Sequence, residues 1–206
     1  MELVVITVES ILPDEAAVLN RLLGEWSGKL HLRKPGVAHD RLRDIIGGIE
    51  PRYRGRIVLH DHFGLVREFG LAGVHLNGRN PQPPDFQVGH ISRSCHTLKE
   101  VDAALNDGEM AQKYNYVFLS PIFDSISKTG YGKAFAREEL EAAALKGIIN
   151  ERVYALGGVD LHNIQDVARA GFGGVAVLGA LWKDYIKDGD IRALTYKLRE
   201  LTLQVI

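Results

Sequence analysis

The fold is decided by Arg152-Val-Tyr-Ala-Leu-Gly-Gly-Val159 and, one short helix later, Gly173-Gly-Val-Ala-Val-Leu-Gly179. Both are short, nearly continuous apolar runs, as strands buried on both faces of a parallel sheet must be. Both end in glycine, where the chain can turn tightly towards a helix. Between them Leu161–Ala170 carries a helical pattern, so the unit reads strand, helix, parallel strand. Outward from this unit the same kind of run recurs at Leu3–Thr7, Lys29–Leu32, Arg56–His60, Gly73–Asn77, His90–Cys95 and Tyr116–Pro121. Helical patterns at Pro13–Gly24, His39–Ile46, Phe63–Phe69, Thr97–Leu105 and Arg137–Leu145 separate most of them, and Leu181–Leu201 reads as one long amphipathic helix. Only the stretch after Asn77, which contains Pro81, Pro83 and Pro84, breaks the rhythm; it reads as a loop on the face where the strands end. Eight strands alternating with helices predict a (β/α)₈ TIM barrel, with residues 1–206 forming a single domain. An open doubly wound sheet is the rival, but its dinucleotide fingerprint is missing after the first strand.

Composition narrows the function. The 206 residues hold 25 Lys+Arg against 26 Asp+Glu, a formal charge of −1, so no global field draws nucleic acid or an anionic membrane. Any anion must be held by a local site. The single cysteine, Cys95, excludes an intramolecular disulfide and a cysteine zinc cage, and its place in a strand suggests an inert buried thiol. No apolar run approaches a membrane span, and the N-terminus lacks the pattern of a secretion signal, so a cytoplasmic protein is expected.

In a TIM barrel the chemistry gathers at the C-terminal ends of the strands. Those ends carry Thr7, His31 with Arg33 and Lys34, His60 with Asp61, Asn77 to Asn80, Ser94 with His96, and Gly157–Gly158 and Gly179. Glycines after the last two strands let backbone N–H groups approach an anion, and the following helix offers its positive end. Ser125, Ser127 and Lys128 follow the sixth strand and can donate to phosphate oxygens. Asp61 suits Mg²⁺ or a helix N-cap, and Arg33 with Lys34 suits a diphosphate. His62, His75, His90 and His162 show no paired ligand spacing and read as structural or surface residues, and Trp26 and Trp182 read as packing.

Seven motifs then fall in one order: Lys29-Leu-His-Leu-Arg-Lys34, Val58-Leu-His-Asp61, Gly73-Val-His-Leu-Asn-Gly78, Ser92-Arg-Ser-Cys-His-Thr-Leu-Lys-Glu100, Ser120-Pro-Ile-Phe-Asp-Ser-Ile-Ser-Lys128, Ala155-Leu-Gly-Gly-Val159 and Gly173-Gly-Val-Ala-Val-Leu-Gly179. In that order the chain resembles the thiamine-phosphate synthase family, which also contains the thiazole tautomerases. The resemblance implies a transferase of thiamine biosynthesis, joining hydroxymethylpyrimidine diphosphate to thiazole phosphate with release of diphosphate. It implies Arg33 and Lys128 on the diphosphate, Ser94 donating to the leaving group, and Asp61 on Mg²⁺. By the same token His31, Lys34, His60, Ser125 and Ser127 would contact substrate, while Gly158, Leu178 and Gly179 would hold the thiazole phosphate. The partners implied are small phosphorylated molecules, with a homodimer left open and neither nucleic acid nor membrane involved. The alternatives are a metal-free tautomerase of thiazole carboxylate phosphate and a non-catalytic binder of thiamine precursors. The family's second metal carboxylate falls on Asn80, and the tautomerase histidine falls on Pro121.

Overall fold

A computed structural model describes residues 1–123 and 135–205. Among these, eight parallel strands close on themselves in chain order: β1 (Glu2–Ile6), β2 (Lys29–Leu32), β3 (Ile57–Leu59), β4 (Gly73–Leu76), β5 (His90–Cys95), β6 (Tyr116–Leu119), β7 (Val153–Leu156) and β8 (Gly174–Val177), with β8 pairing back to β1. The connecting helices are α1 (Glu15–Glu25), α2 (His39–Gly47), α3 (Pro51–Arg54), α4 (Gly64–Phe69), α5 (Leu98–Asn106), α6 (Arg137–Leu145) and α7 (Ile164–Arg169). The predicted (β/α)₈ barrel is the observed one, and each predicted strand overlaps its counterpart.

One helix differs from expectation. The long final helix is two, α8 (Gly179–Asp188) and α9 (Ile191–Val205). Gly189 between them takes φ 70°, and its N–H closes α8 on the carbonyl of Tyr185. The Asp190 carboxylate then accepts from the N–H groups of Arg192 and Ala193, starting α9 in a new direction. A glycine in the left-handed conformation ends a helix readily, and an aspartate caps the next. The turn α3, opened by Pro51, is also beyond what periodicity predicts.

Alternation along the strands builds two cores. Leu3 and Val5, Leu30 and Leu32, Ile57 and Leu59, and Val74 and Leu76 face the helices in the outer layer. The barrel interior is divided. Val4, Ile6, Tyr116, Phe118, Tyr154 and Ala176 fill the side formed by β1, β6, β7 and β8. The opposite side, from β2 to β5, is lined by buried His31, His60, His75, His90 and Ser92. α8 is tied to this frame by the buried Trp182, whose indole N–H donates to the carbonyl of Ile6 at 2.8 Å.

Candidate active site

The turns after β7 and β8 lie side by side, because Leu156 pairs with Ala176. Beyond Leu156 the chain turns through Gly157 at φ 96° and Gly158 at φ 67°. Asn163 fixes this turn: its amide donates to the Gly158 carbonyl at 2.8 Å and its oxygen accepts from Asp160 N–H. A Cβ on Gly158 would stand 2.8 Å from the Phe123 carbonyl, so packing as well as conformation requires glycine. Beyond β8, Leu178 is the N-cap residue of α8 and its carbonyl accepts from Leu181 and Trp182. Gly179 and Ala180 are thus the first helical N–H groups, which an α-helix leaves without internal acceptors. A Cβ on the exposed Gly179 would meet open space. A helix start opening beside a glycine turn is suited to an anion.

After β2, Arg33 is held through its backbone: its N–H donates to Thr7 Oγ1 at 3.0 Å, and that hydroxyl donates to the Arg33 carbonyl. Its guanidinium, half-buried, meets Glu9 at 2.5 Å. The next residue departs from expectation. Lys34 is fully buried, 2.5 Å from Glu15 Oε1, and donates to the carbonyls of Val8 and Ser10. Burial pushes its ammonium pKa down. Lys34 therefore anchors α1 beneath the rim and is not placed to receive a diphosphate.

After β3, the Asp61 carboxylate is gripped by Arg79, whose Nε and Nη2 donate to Oδ1 and Oδ2 at 3.2 and 3.1 Å. Asn80 adds a bond to Oδ1 at 2.9 Å. The turn that presents both partners is closed by reciprocal backbone bonds between Asn77 and Asn80. With a guanidinium across both oxygens and the Asn80 amide on one of them, the Asp61 carboxylate as placed here does not fit Mg²⁺, which calls for carboxylate and water oxygens. Nor does Asp61 cap a helix, since the N-cap position of α4 is Phe63.

Below the rim lies a histidine network that the sequence reading only half contains. His31 Nδ1 is 2.9 Å from His60 Nε2, and His31 Nε2 is 2.6 Å from the Tyr116 hydroxyl. His75, expected to be structural or on the surface, is buried here; its ring stacks on His60 with centroids 4.3 Å apart. It spans two hydroxyls, Ser92 at 2.9 Å and Ser94 at 2.8 Å. Burial and the neighbouring cationic positions hold these imidazoles neutral, His75 down to about 3 and His31 and His60 well below their usual value. The signal was present: His31 and His75 each sit at an inward position flanked by apolar outward ones. Spacing along the chain cannot reveal a group assembled across adjacent strands.

Cys95 is buried, and burial pushes its thiol up to about 11, as expected of an inert side chain. Ser125, Ser127 and Lys128 lie outside the described residues.

The sequence profile of the family described as "Thiamine monophosphate synthase" matches residues 8–181. A putative thiamine-phosphate synthase of Geobacter sulfurreducens is 30% identical over 65% of this chain, a region that spans 62% of the relative's own length. A thiamine-phosphate synthase of Serratia proteamaculans is 26% identical over 91% of this chain and 88% of the relative. A crystal structure of thiamine phosphate pyrophosphorylase from Bacteroides thetaiotaomicron superposes with a TM-score of 0.86 at 36% identity, covering 100% of this chain and 98% of that one.

Proposed function

The chain belongs to the thiamine monophosphate synthase family, and on that premise we propose that it joins hydroxymethylpyrimidine diphosphate to thiazole phosphate at the barrel mouth. Family and relatives together indicate a thiamine-phosphate synthase of thiamine biosynthesis, a transferase of the diphosphorylase type. The observation that carries the site assignment is the pair of turns at Gly157–Gly158 and Gly179. They set a glycine bend beside the start of α8 and so offer a cradle for the thiazole phosphate.

In this reading the bond between the pyrimidine methylene and the diphosphate breaks, its electrons leaving with the diphosphate. The thiazole nitrogen then bonds to the methylene carbon. The barrier falls with every fixed donor aimed at the charge growing on the diphosphate. Arg33 and Lys128 take that role, with Arg33 exchanging Glu9 for the substrate and Ser94 donating from the rim. Gly158, Leu178 and Gly179 fix the acceptor, so that its nitrogen faces the departing group. Ser125 and Ser127 belong to the same assignment.

The family is consistent with Mg²⁺-dependent enzymes in general. In this chain Arg79 already neutralises Asp61, and the diphosphate charge is assigned to arginine and lysine instead. The partners are small phosphorylated molecules, and among the described residues no helix is long and apolar enough to cross a membrane. A cytoplasmic, single-domain protein completes the reading. The exposed Tyr196 and Leu203 on α9 support a homodimer.

The test mixes both substrates with the protein and follows thiamine phosphate and diphosphate, beside calorimetry with thiazole phosphate. Product formation and binding are expected. Binding without product would leave the non-catalytic binder, and conversion of thiazole carboxylate phosphate alone would make the protein a tautomerase.

A further inference from the structure

We propose that His31, His60 and His75 form a binding site for a borderline divalent transition metal such as Zn²⁺, set inside the barrel just below its mouth. One ring nitrogen from each of the three lies within 4.8 Å of the other two. They come from β2, from the residue directly after β3 and from β4, where the paired strands and the bond from His60 N–H to the Leu32 carbonyl fix their backbones relative to one another.

The hydrogen bonds select which nitrogens face the ion. A metal-bound histidine typically anchors its other ring nitrogen on a fixed partner, which sets tautomer and orientation. His31 has that anchor at Nε2, on the Tyr116 hydroxyl, and His75 has it at Nδ1, on Ser92. The remaining nitrogens are His31 Nδ1, which already faces His60 Nε2 at 2.9 Å, and His75 Nε2, turned to Ser94. Zn–N bonds of about 2.0–2.1 Å at tetrahedral angles place ligand nitrogens slightly over 3 Å apart, so the ion needs a small opening of the His31–His60 pair and a closing-in of the cluster from its 4.8 Å spread. Ser94 Oγ, 2.8 Å from His75 Nε2, is displaced from that nitrogen when the ion binds. Three imidazoles with one position left open is the ligand pattern of catalytic zinc sites.

The chemistry of the donors fits this class of ion and not Mg²⁺. Imidazole nitrogen suits zinc, copper, nickel and cobalt, whereas Mg²⁺ takes oxygen. The hydrogen bond between His31 Nδ1 and His60 Nε2 holds one proton between the two nitrogens, so metal binding has to move it to an outer ring nitrogen of the pair. The site does not depend on the synthase reading, and its failure would leave that reading intact.

The experiment uses the purified full chain, stripped with a chelator and dialysed. Zn²⁺ is titrated by calorimetry, and Co²⁺ by visible absorption. The expected result is one equivalent bound, with the intense visible bands of four-coordinate Co²⁺ and competition between the two ions. His75→Gln and His60→Gln should each weaken Zn²⁺ by roughly a hundredfold, while Ser92→Ala, which removes an anchor, should weaken it by about tenfold. Circular dichroism and phosphate binding report whether each variant is folded. His39→Ala serves as control, because the exposed His39 pairs with the half-buried His62 in a separate contact with ring centroids 5.6 Å apart. Absence of stoichiometric binding would overturn the proposal. So would binding that survives in both glutamine variants or disappears with His39→Ala.

Discussion

Arg79 closes on Asp61 with two of its nitrogens, one to each carboxylate oxygen, at 3.2 and 3.1 Å. The cation that balances this rim carboxylate is therefore built into the chain, three residues past β4. Arg79 is itself about half exposed, so an incoming diphosphate can share it. Arg79→Ala should weaken diphosphate binding about tenfold, about 1.4 kcal/mol, when measured without divalent metal. The same change releases Asp61, so Mg²⁺ should now restore much of the affinity. Calorimetry with and without Mg²⁺ checks both halves. An unchanged affinity in the variant would place the diphosphate away from Arg79.

The start of α8 offers a cleaner test of the phosphate cradle than the neighbouring turn. A side chain at Gly158 would collide with Phe123 backbone at a φ of 67°, so a valine there should unsettle the fold as well as the site. Gly179 has open space around its missing Cβ. Gly179→Leu should cut thiazole phosphate affinity by more than about tenfold, with Tm moving by no more than about 3 °C. Normal binding by the folded variant would remove the helix start from the site.

Much of this architecture is legible in the sequence because buried parallel strands declare themselves as apolar runs. Their glycine ends likewise mark the turns after Leu156 and Val177. The break at Gly189 was legible too, in Asp188-Gly-Asp190, but amphipathic periodicity on both sides masked it. Lys34 and the histidines show a different limit. A lysine beside Arg33 gives no local hint that its side chain turns under the rim to Glu15, because that partner belongs to another element. His75 looked isolated because its companions are fifteen or more residues away and meet it only through strand pairing. Sequence reading finds what is periodic along the chain and misses what closes across it.

The buried pair of Lys34 and Glu15 should matter for stability. Glu15 also accepts the N–H of Leu12, which ties the loop before α1 to the same carboxylate. Lys34→Ala would strand that carboxylate in the interior and should cost about 3–5 kcal/mol of unfolding free energy. Lys34→Met combined with Glu15→Leu should recover most of the loss, since two apolar chains carry no desolvation penalty. Urea denaturation of both proteins decides it. A loss below about 1 kcal/mol in the single variant would mean that water reaches Glu15.

Acid should destabilise the protein through His90. Burial, helped by Lys29, holds this imidazole down to about 3 in the folded chain. In the unfolded chain it titrates near 6.5, so the unfolded state takes up the proton first as pH falls. The stabilisation is present above about pH 6.5 and is lost progressively towards pH 3. At pH 5 the loss from this residue is about 2 kcal/mol. His75, also held to about 3, pushes in the same direction. Urea midpoints of chelator-treated protein at pH 7 and pH 5 measure the slope, and His90→Phe should flatten it. An identical slope in the variant would assign the acid sensitivity elsewhere.

The tether from Trp182 to the Ile6 carbonyl has a practical consequence. The chain holds two tryptophans, and they stand at opposite ends of the barrel. Trp26 follows α1, before β2 begins, whereas Trp182 lies in the first turn of α8, fully buried. An anion arriving at Gly179 and Ala180 changes the electric field one helical turn from an indole that cannot rotate away from its carbonyl. The emission of Trp182 therefore serves as a built-in optical gauge of the mouth, with Trp26 as the steady reference. Removing the reference indole with Trp26→Phe would leave a single-tryptophan protein whose fluorescence reports ligand arrival without any attached dye.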